Sequence, residues 1–269
     1  MLTETQKEMN IFVIGTGNVA YSLIPALQKA NHTITGIYGR TSKHTEEISK
    51  LYDIKSFADF NQIPQNTEVI IICTADKGIA TTAEALKTDK IVLHTSGSTD
   101  IDVLKNYFSN CGVMYPTQTF TKGRLVDFLE IPLLVEATNE ATMLTVKKLA
   151  TSISKDVREM TSQQRRILHL SAVFACNFTN HLIAISQVLM KENDVDFCLL
   201  KPLVEETMKK AMNSDPILGQ SGPAKRNDTE TLNMHLEMLN HNPTLKNIYN
   251  NISNSIIEYK EKYKNGLPK

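Results

Sequence analysis

The sequence predicts an α/β domain, with a mostly parallel sheet and helices on both faces, followed by an all-helical C-terminal domain. Three observations carry this reading. Short apolar runs alternate with amphipathic helical patterns through the first half. The runs are continuous rather than alternating, as expected of strands buried on both faces. Strand signals stop near residue 159, and helical patterns with clear start signals fill the rest. The 269 residues supply core material for two domains, expected at 1–158 and 159–269.

Strands are expected at 10–14, 33–38, 68–73, 90–94, 112–115 and 131–136, with helices near 18–30, 42–52, 77–86 and 140–154. The run Glu68-Val69-Ile70-Ile71-Ile72-Cys73 is the plainest buried strand. A short strand at Asp156 to Glu159 closes the series. Thr161-Ser162-Gln163-Gln164 then reads as a capping box. It opens a helix over 161–191, roughly 45 Å long at about 1.5 Å per residue. That helix is apolar around most of its circumference, so it is expected to be covered on most sides. It also carries His169, Asn177, Asn180, His181 and Gln187, which are expensive in lipid, so a buried soluble helix is expected and no membrane span. Further helices are expected near 202–213, 229–240 and 244–262, each with a start signal at Pro202, Asp228 or Pro243.

Composition narrows the function classes. Twenty-nine basic and 29 acidic residues cancel, and no basic patch stands out, so nucleic acid is not an expected partner. The four cysteines form no CxxC pair and no ligand spacing with His, which suits reduced thiols, a cytoplasmic location and no metal. The segment Met1 to Met9 is polar and has no signal-peptide core.

The first forty residues name a ligand. Ile11-Phe12-Val13-Ile14 reads as a strand, and Gly15-x-Gly17-x-x-Ala20 follows and opens a helix. This is the dinucleotide-binding fingerprint of a Rossmann domain, with Ala in the third position. Gly15 permits the tight turn, Gly17 lets the backbone approach a pyrophosphate, and Ala20 lets the helix pack against the strand. The amides at the helix start then face the phosphates. Gly15, Thr16, Gly17, Asn18 and Val19, with Thr74 and Ala75 after the 68–73 strand, are the expected cofactor contacts. An NAD-binding chain usually carries Asp or Glu at the end of its second strand. Here Gly39-Arg40-Thr41-Ser42-Lys43 stands there instead. A guanidinium, two hydroxyls and an ammonium suit a 2′-phosphate, so Arg40, Thr41, Ser42 and Lys43 point to NADP(H). The plainer alternative is a glycine turn with a solvated basic loop.

In an open α/β sheet, ligands lie beyond the carboxyl ends of the strands. Four segments invite attention there and beyond. Cys73-Thr74-Ala75-Asp76 ends one strand, and its Asp76 reads first as a helix N-cap. His94-Thr95-Ser96-Gly97-Ser98 is dense in hydroxyls and amides, and either holds a carbonyl or carboxylate near the nicotinamide or caps a helix. In Tyr115-Pro116-Thr117-Gln118-Thr119-Phe120, Gln118 and Thr119 either orient a substrate or satisfy a turn. Gly219-Gln220-Ser221-Gly222-Pro223-Ala224-Lys225-Arg226-Asn227-Asp228 places Lys225 and Arg226 for an anion, or is a solvated turn capped by Asp228.

The long helix adds a polar line. At about 100° per residue, His169, Cys176, Asn180 and Gln187 share one stripe, with Asn177 beside it. The line either faces the cofactor cleft, with His169 as proton donor, or forms a hydrogen-bonded seam in a dimer core.

These motifs, in this order, resemble the Rossmann-like proteins whose C-terminal part is domain of unknown function 2520. That group is labelled NADP oxidoreductase or deazaflavin-dependent NADP oxidoreductase-like. The resemblance covers nearly the whole chain and includes the helix His169-Leu170-Ser171-Ala172-Val173-Phe174-Ala175-Cys176-Asn177-Phe178-Thr179-Asn180-His181. More distantly the layout is similar to pyrroline-5-carboxylate reductase and the 6-phosphogluconate and 3-hydroxyisobutyrate dehydrogenases. The resemblance implies a homodimer through the helix 161–191 and a site between the two domains. It supports His169 and Asn177 as catalytic groups in that cleft. The residues themselves add Ser96 to the catalytic set and Gln118, Thr119, Lys225 and Arg226 as expected contacts to a small-molecule substrate. The Lys and Asn that the hydroxyacid dehydrogenases carry one turn apart on this helix are absent, since His169 and Val173 stand there. Two functions follow as expectations: hydride transfer between NADP(H) and a small carbonyl or imine, or an NADP-binding sensor or scaffold without turnover.

Overall fold

The computed structural model describes residues 8–59 and 62–266, so most of the polar Met1 to Met9 stretch lies outside the described residues. The first half folds as alternating strands and helices: β1 (Asn10–Ile14), α1 (Asn18–Lys29), β2 (Thr33–Tyr38), α2 (Ser42–Tyr52), β3 (Ser56–Phe57), β4 (Val69–Ile72), α3 (Asp76–Ala85), β5 (Ile91–His94), α4 (Asp102–Lys105), β6 (Cys111–Pro116), β7 (Leu133–Ala137), α5 (Glu140–Ile153) and β8 (Val157–Glu159). The eight strands form one sheet in the order β3-β2-β1-β4-β5-β6-β7-β8. All neighbours run parallel except β6 and β7, which pair antiparallel with Tyr115 opposite Leu134 and Val113 opposite Glu136. The order reverses beside β1, between β1 and β4, which is where a doubly wound sheet opens its ligand crevice.

Both faces of the sheet are covered, and β1 shows how. Ile11 and Val13 pack with Leu23, Leu27 and Leu149 in one apolar cluster. Phe12 and Ile14 pack with Ile79, Ala83 and Leu104 in the other. Successive side chains of a strand point to opposite faces, so a strand buried on both must be apolar throughout. All four residues of β4 are accordingly buried.

After β8 the chain turns helical. Thr161 caps the next helix as a capping box: the Gln164 amide donates to Thr161 Oγ1 at 3.3 Å, and the Thr161 amide donates to Gln164 Oε1 at 3.0 Å. Helix α6 (Ser162–Ala172) continues through a π-wound segment, Val173–Phe178, into α7 (Thr179–Glu192). Together they form a 31-residue helix long and apolar enough to cross a membrane. Its expected burial is not met within the single chain. Ser162 and Arg165 are its buried residues, whereas Ile167 is 62% and Phe174 63% exposed. The apolar run gives the helix but says nothing of what covers it. The wider π winding also breaks the constant step of about 100° used to align His169, Cys176, Asn180 and Gln187, since Cys176 lies inside that segment.

The chain forms two compact units, one running through Thr179 and the other beginning at Asn180. The second contains α7 with α8 (Lys201–Asn213), α9 (Pro223–Arg226), α10 (Thr229–Met238) and α11 (Pro243–Lys262). Pro202, Asp228 and Pro243 stand at the helix starts read from sequence. The caps of α10 and α11 are made by Asp228, accepting from the Thr231 amide, and by Asn242, accepting from the Leu245 amide, both at 3.1 Å. Ala224 is the only buried residue of this unit among the described residues.

His94, the last residue of β5, is fully buried. Burial, reinforced by the nearby Arg165 guanidinium, pushes its pKa down to about 3. Above the unfolded value of about 6.5 both states are neutral and stability is complete. As pH falls from there toward the folded value, the unfolded chain takes up a proton that the native chain refuses, so stability is lost. Urea denaturation should show a midpoint that falls across this window, with up to about 1.4 kcal/mol per pH unit from this group. His94→Gln should flatten the fall. His32, lowered in the same direction by burial, accounts for a residual slope.

Candidate functional site

The turn after β1 has the geometry that a phosphate needs. Gly15 sits at φ +122°, and a Cβ there would lie 2.5 Å from the Cys73 carbonyl oxygen, so no other residue fits. Its amide donates to the Tyr38 carbonyl at 2.8 Å, which closes the turn between the ends of β1 and β2. Gly17 is the N-cap of α1 and offers no side chain to the helix amides. No side chain caps those amides among the described residues, an arrangement that suits an anion. Ala20 is buried against the strand as expected. Asn18 is held otherwise than a pure phosphate contact: its side-chain amide donates to the Phe120 carbonyl at 2.9 Å, tying the phosphate turn to the loop after β6.

Arg40, Ser42, Thr45 and Glu46 line a cavity of ≈ 280 Å³ with Tyr38 and Phe57 at the end of β2. The Arg40 guanidinium makes no ion pair among the described residues. Thr41 and Lys43 are exposed and do not line the cavity. At the end of β4, Thr74 Oγ1 is buried without a partner among the described residues, and Ala75 is exposed. A glycine turn, uncapped helix amides, a free guanidinium beside an aromatic cavity and an orphaned hydroxyl together fit a dinucleotide carrying a 2′-phosphate.

Two local expectations change. Asp76 is not the N-cap of α3. Ala75 holds that position, and the Asp76 carboxylate instead accepts from Ser98 Oγ at 2.5 Å. The loop after β5 competes for Asp76, because Ser98 faces it. Ser96 is buried, and its hydroxyl is spent within its own loop. It accepts from the Ser98 and Thr99 amides at 3.2 and 3.0 Å and donates to Thr99 Oγ1 at 2.9 Å. The Ser96 amide donates to His94 Nδ1 at 3.2 Å. Ser96 therefore shapes the loop.

Beneath this loop lies a buried ion pair. Arg165, 1% exposed, donates from Nη1 to Glu136 Oε2 on β7 at 2.6 Å. Its Nη2 donates to the Thr99 carbonyl at 2.6 Å and to Ser162 Oγ at 3.0 Å. Ser162 Oγ donates to Glu136 Oε2 at 2.6 Å and accepts from the Ile101 amide at 3.0 Å. The start of α6, the end of β7 and the loop after β5 are thus fixed to one another. Glu136 lies opposite Val113, and His169 reaches Tyr115 two residues further on, so α6 advances along β6 toward its carboxyl end.

There His169, one turn beyond Arg165, meets Tyr115. The phenol oxygen is 3.4 Å from His169 Nδ1, and the rings stand edge to face at 6.3 Å. Gly97 passes so close that a Cβ would lie 2.7 Å from both His169 Nδ1 and Tyr115 Cζ. Burial raises the Tyr115 pKa above that of an ordinary phenol. Tyr115 belongs to a motif the sequence flagged, but no spacing rule joins it to His169; only the sheet does. The other expected residues are more scattered. Asn177 is exposed in the π-wound segment. Gln118 is exposed, and its Oε1 accepts from the Thr119 amide at 2.8 Å. In the second unit, Lys225 donates to the Ile217 carbonyl at 3.3 Å, and Arg226 pairs with Asp228 at 3.7 Å.

Residues 10–97 match the family described as NADP oxidoreductase coenzyme F420-dependent, and residues 131–256 match domain of unknown function 2520. The crystal structure of a "putative NADP oxidoreductase" from Bacteroides fragilis is 33% identical, with TM-score 0.87, over 95% of this chain and 100% of that one. Two others share the fold alone. A 1-pyrroline-5-carboxylate reductase from Streptococcus pyogenes is 14% identical with TM-score 0.60, over 93% of this chain and 99% of that one. A reductive aminase from Aspergillus terreus, solved with NADPH and ethyl levulinate, is 11% identical with TM-score 0.71, over 97% of each chain. No curated protein sequence matches. A Rossmann-type NADP oxidoreductase module followed by domain of unknown function 2520, in one chain and in that order, defines the family to which this protein belongs.

Proposed function

We propose that this protein is an NADP(H)-dependent oxidoreductase that transfers hydride between the nicotinamide and a small carbonyl or imine substrate. The observation that carries the reading is the pairing, in one unit, of an uncapped phosphate turn with a Tyr115–His169 couple at the carboxyl ends of the strands. Gly15, Thr16, Gly17, Asn18 and Val19 hold the pyrophosphate, with Thr74 and Ala75 beside them. Arg40 and Ser42 take the 2′-phosphate, and Thr41 and Lys43 add charge and hydroxyl from the rim. Bound there, the cofactor supplies the hydride; the protein supplies orientation and the proton. Ser96 shapes the loop over the site, Gln118 and Thr119 hold the substrate, and His169 and Asn177 provide polar groups from the helix. Lys225 and Arg226 are kept as anion contacts, although each already has a local partner. The division at 158/159 into a cofactor domain and a helical domain belongs to the same proposal, as does a cytoplasmic location suited to four free thiols.

A homodimer through the helical region is part of this reading. Most of the large apolar side chains that face solvent lie beyond Ser162, among them Ile167, Leu170, Phe174 and Phe178. A contiguous apolar surface of this kind marks an interface. Sedimentation equilibrium should give twice the chain mass, and Phe174→Glu should shift the equilibrium to monomer; a wild-type monomer at micromolar concentration contradicts the dimer.

The cofactor assignment is tested by titrating the protein with NADPH and NADH and following nicotinamide fluorescence. NADPH should bind more tightly. Arg40→Ala should weaken NADPH by about tenfold or more while leaving NADH nearly unchanged, since one charge-assisted contact is worth about 1.5–3 kcal/mol. Failure to bind either nucleotide sinks the oxidoreductase reading.

A further inference from the structure

The Tyr115–His169 couple has an internal order. The His169 ring is half-buried, and its Nδ1 is turned to the Tyr115 oxygen at 3.4 Å. A ring nitrogen engaged with a phenol is not the atom that meets a substrate. The phenol oxygen has a further lone pair and a proton to place, and it stands at the end of β6 beside the Ser96–Ser98 loop. Gly97 leaves room for both rings where any side chain would displace one of them.

We propose that Tyr115 is the group that delivers the proton to the substrate, and that His169 is a positioning residue that orients the phenol and reloads it. The proposal rests on the oxidoreductase reading above. In the reducing direction, the substrate carbon accepts hydride and the C=O (or C=N) electron pair closes onto oxygen (or nitrogen). That atom takes the Tyr115 phenolic proton and leaves a phenolate. His169 Nδ1–H returns a proton to the phenolate while Nε2 takes one from solvent. One solvent proton is consumed per hydride; the imidazole ends neutral but as the Nε2–H tautomer, and proton exchange with solvent restores Nδ1–H before the next turnover. Burial holds the phenol in its neutral form between turnovers, and the order of the two groups rests on the contact of His169 Nδ1 with the Tyr115 oxygen at the end of β6. The charged and titratable groups acting on Tyr115 are Arg165, which opposes the upward shift, and Asp76 and Cys176, which add to it.

The test uses the full chain and three readouts. Long-range ¹H–¹⁵N NMR reports the His169 tautomer in wild type and in Tyr115→Phe. The proposal expects an Nδ1–H tautomer in wild type that is lost in the variant. Identical spectra overturn it. NADPH fluorescence in the same samples should be unchanged by Tyr115→Phe, which shows that the variant is folded. Reduction of a panel of small carbonyls and imines then ranks the residues. Tyr115→Phe should lower kcat at least a hundredfold with KM for NADPH unchanged. His169→Gln should cost less and shift the pH profile. A greater loss in His169→Gln than in Tyr115→Phe overturns the assignment, as does a wild type that binds NADPH and reduces nothing. A wild type that fails to bind NADPH instead brings down the oxidoreductase reading, whatever His169 does.

Discussion

A single buried guanidinium holds the candidate site together. Arg165 is sequestered from water yet satisfied on two nitrogens, by the Glu136 carboxylate and by the Thr99 carbonyl and Ser162 hydroxyl. Such a pair adds little net stability over an apolar replacement, but losing one partner strands the other and costs about 3–5 kcal/mol. Its use here is geometric. It joins three segments far apart in sequence: the β5 loop, the end of β7 and the first turn of α6. His169 sits four residues after Arg165 and so on the same helix face. Fixing Arg165 therefore fixes where His169 meets Tyr115, and fixing Thr99 fixes the loop that carries Gly97 between them. Chemistry at the carboxyl ends of the strands needs this rigidity, because a proton donor misplaced by an ångström loses most of its effect.

The cofactor turn is positioned by different physics. Gly15 adopts a backbone angle closed to other residues, and the Cys73 carbonyl presses against it. The all-apolar strands that bury on both faces set β1 and β4 side by side and leave their carboxyl ends at the crevice. This part of the protein was legible in sequence, because the fingerprint is local and the strand runs are long. Strands β1 and β2 fall where periodicity puts them, and the helix starts at Thr161, Asp228 and Pro243 follow capping and first-turn chemistry that a short window reveals.

What escaped the sequence is either too short or not local. Strand β3 has two residues, and α4 and α9 have four each, below the length at which any period can be recognised. The reversal of β7 leaves no mark in its own residues, because an apolar strand reads alike in either direction. The π-wound segment gave no signal and upset the polar stripe drawn through it. The sequence leaves Ser96 open between a group for the substrate and a cap, and its hydroxyl is engaged within its own loop. Glu136 and Arg165, the strongest electrostatic feature, passed unnoticed because charged residues 29 positions apart carry no pairing rule. The apolar long helix was expected to be buried, and within the single chain it is not, because an apolar run says nothing of what lies beside it.

The claim that one ion pair organises the site is tested most directly by a double-mutant cycle in urea denaturation with Glu136→Gln, Arg165→Met and the double variant. Each single change should cost several kcal/mol, and the double should cost at least about 2 kcal/mol less than their sum, because each single leaves an uncompensated partner behind. Additive single effects would contradict the account and leave Arg165 as one buried side chain among many.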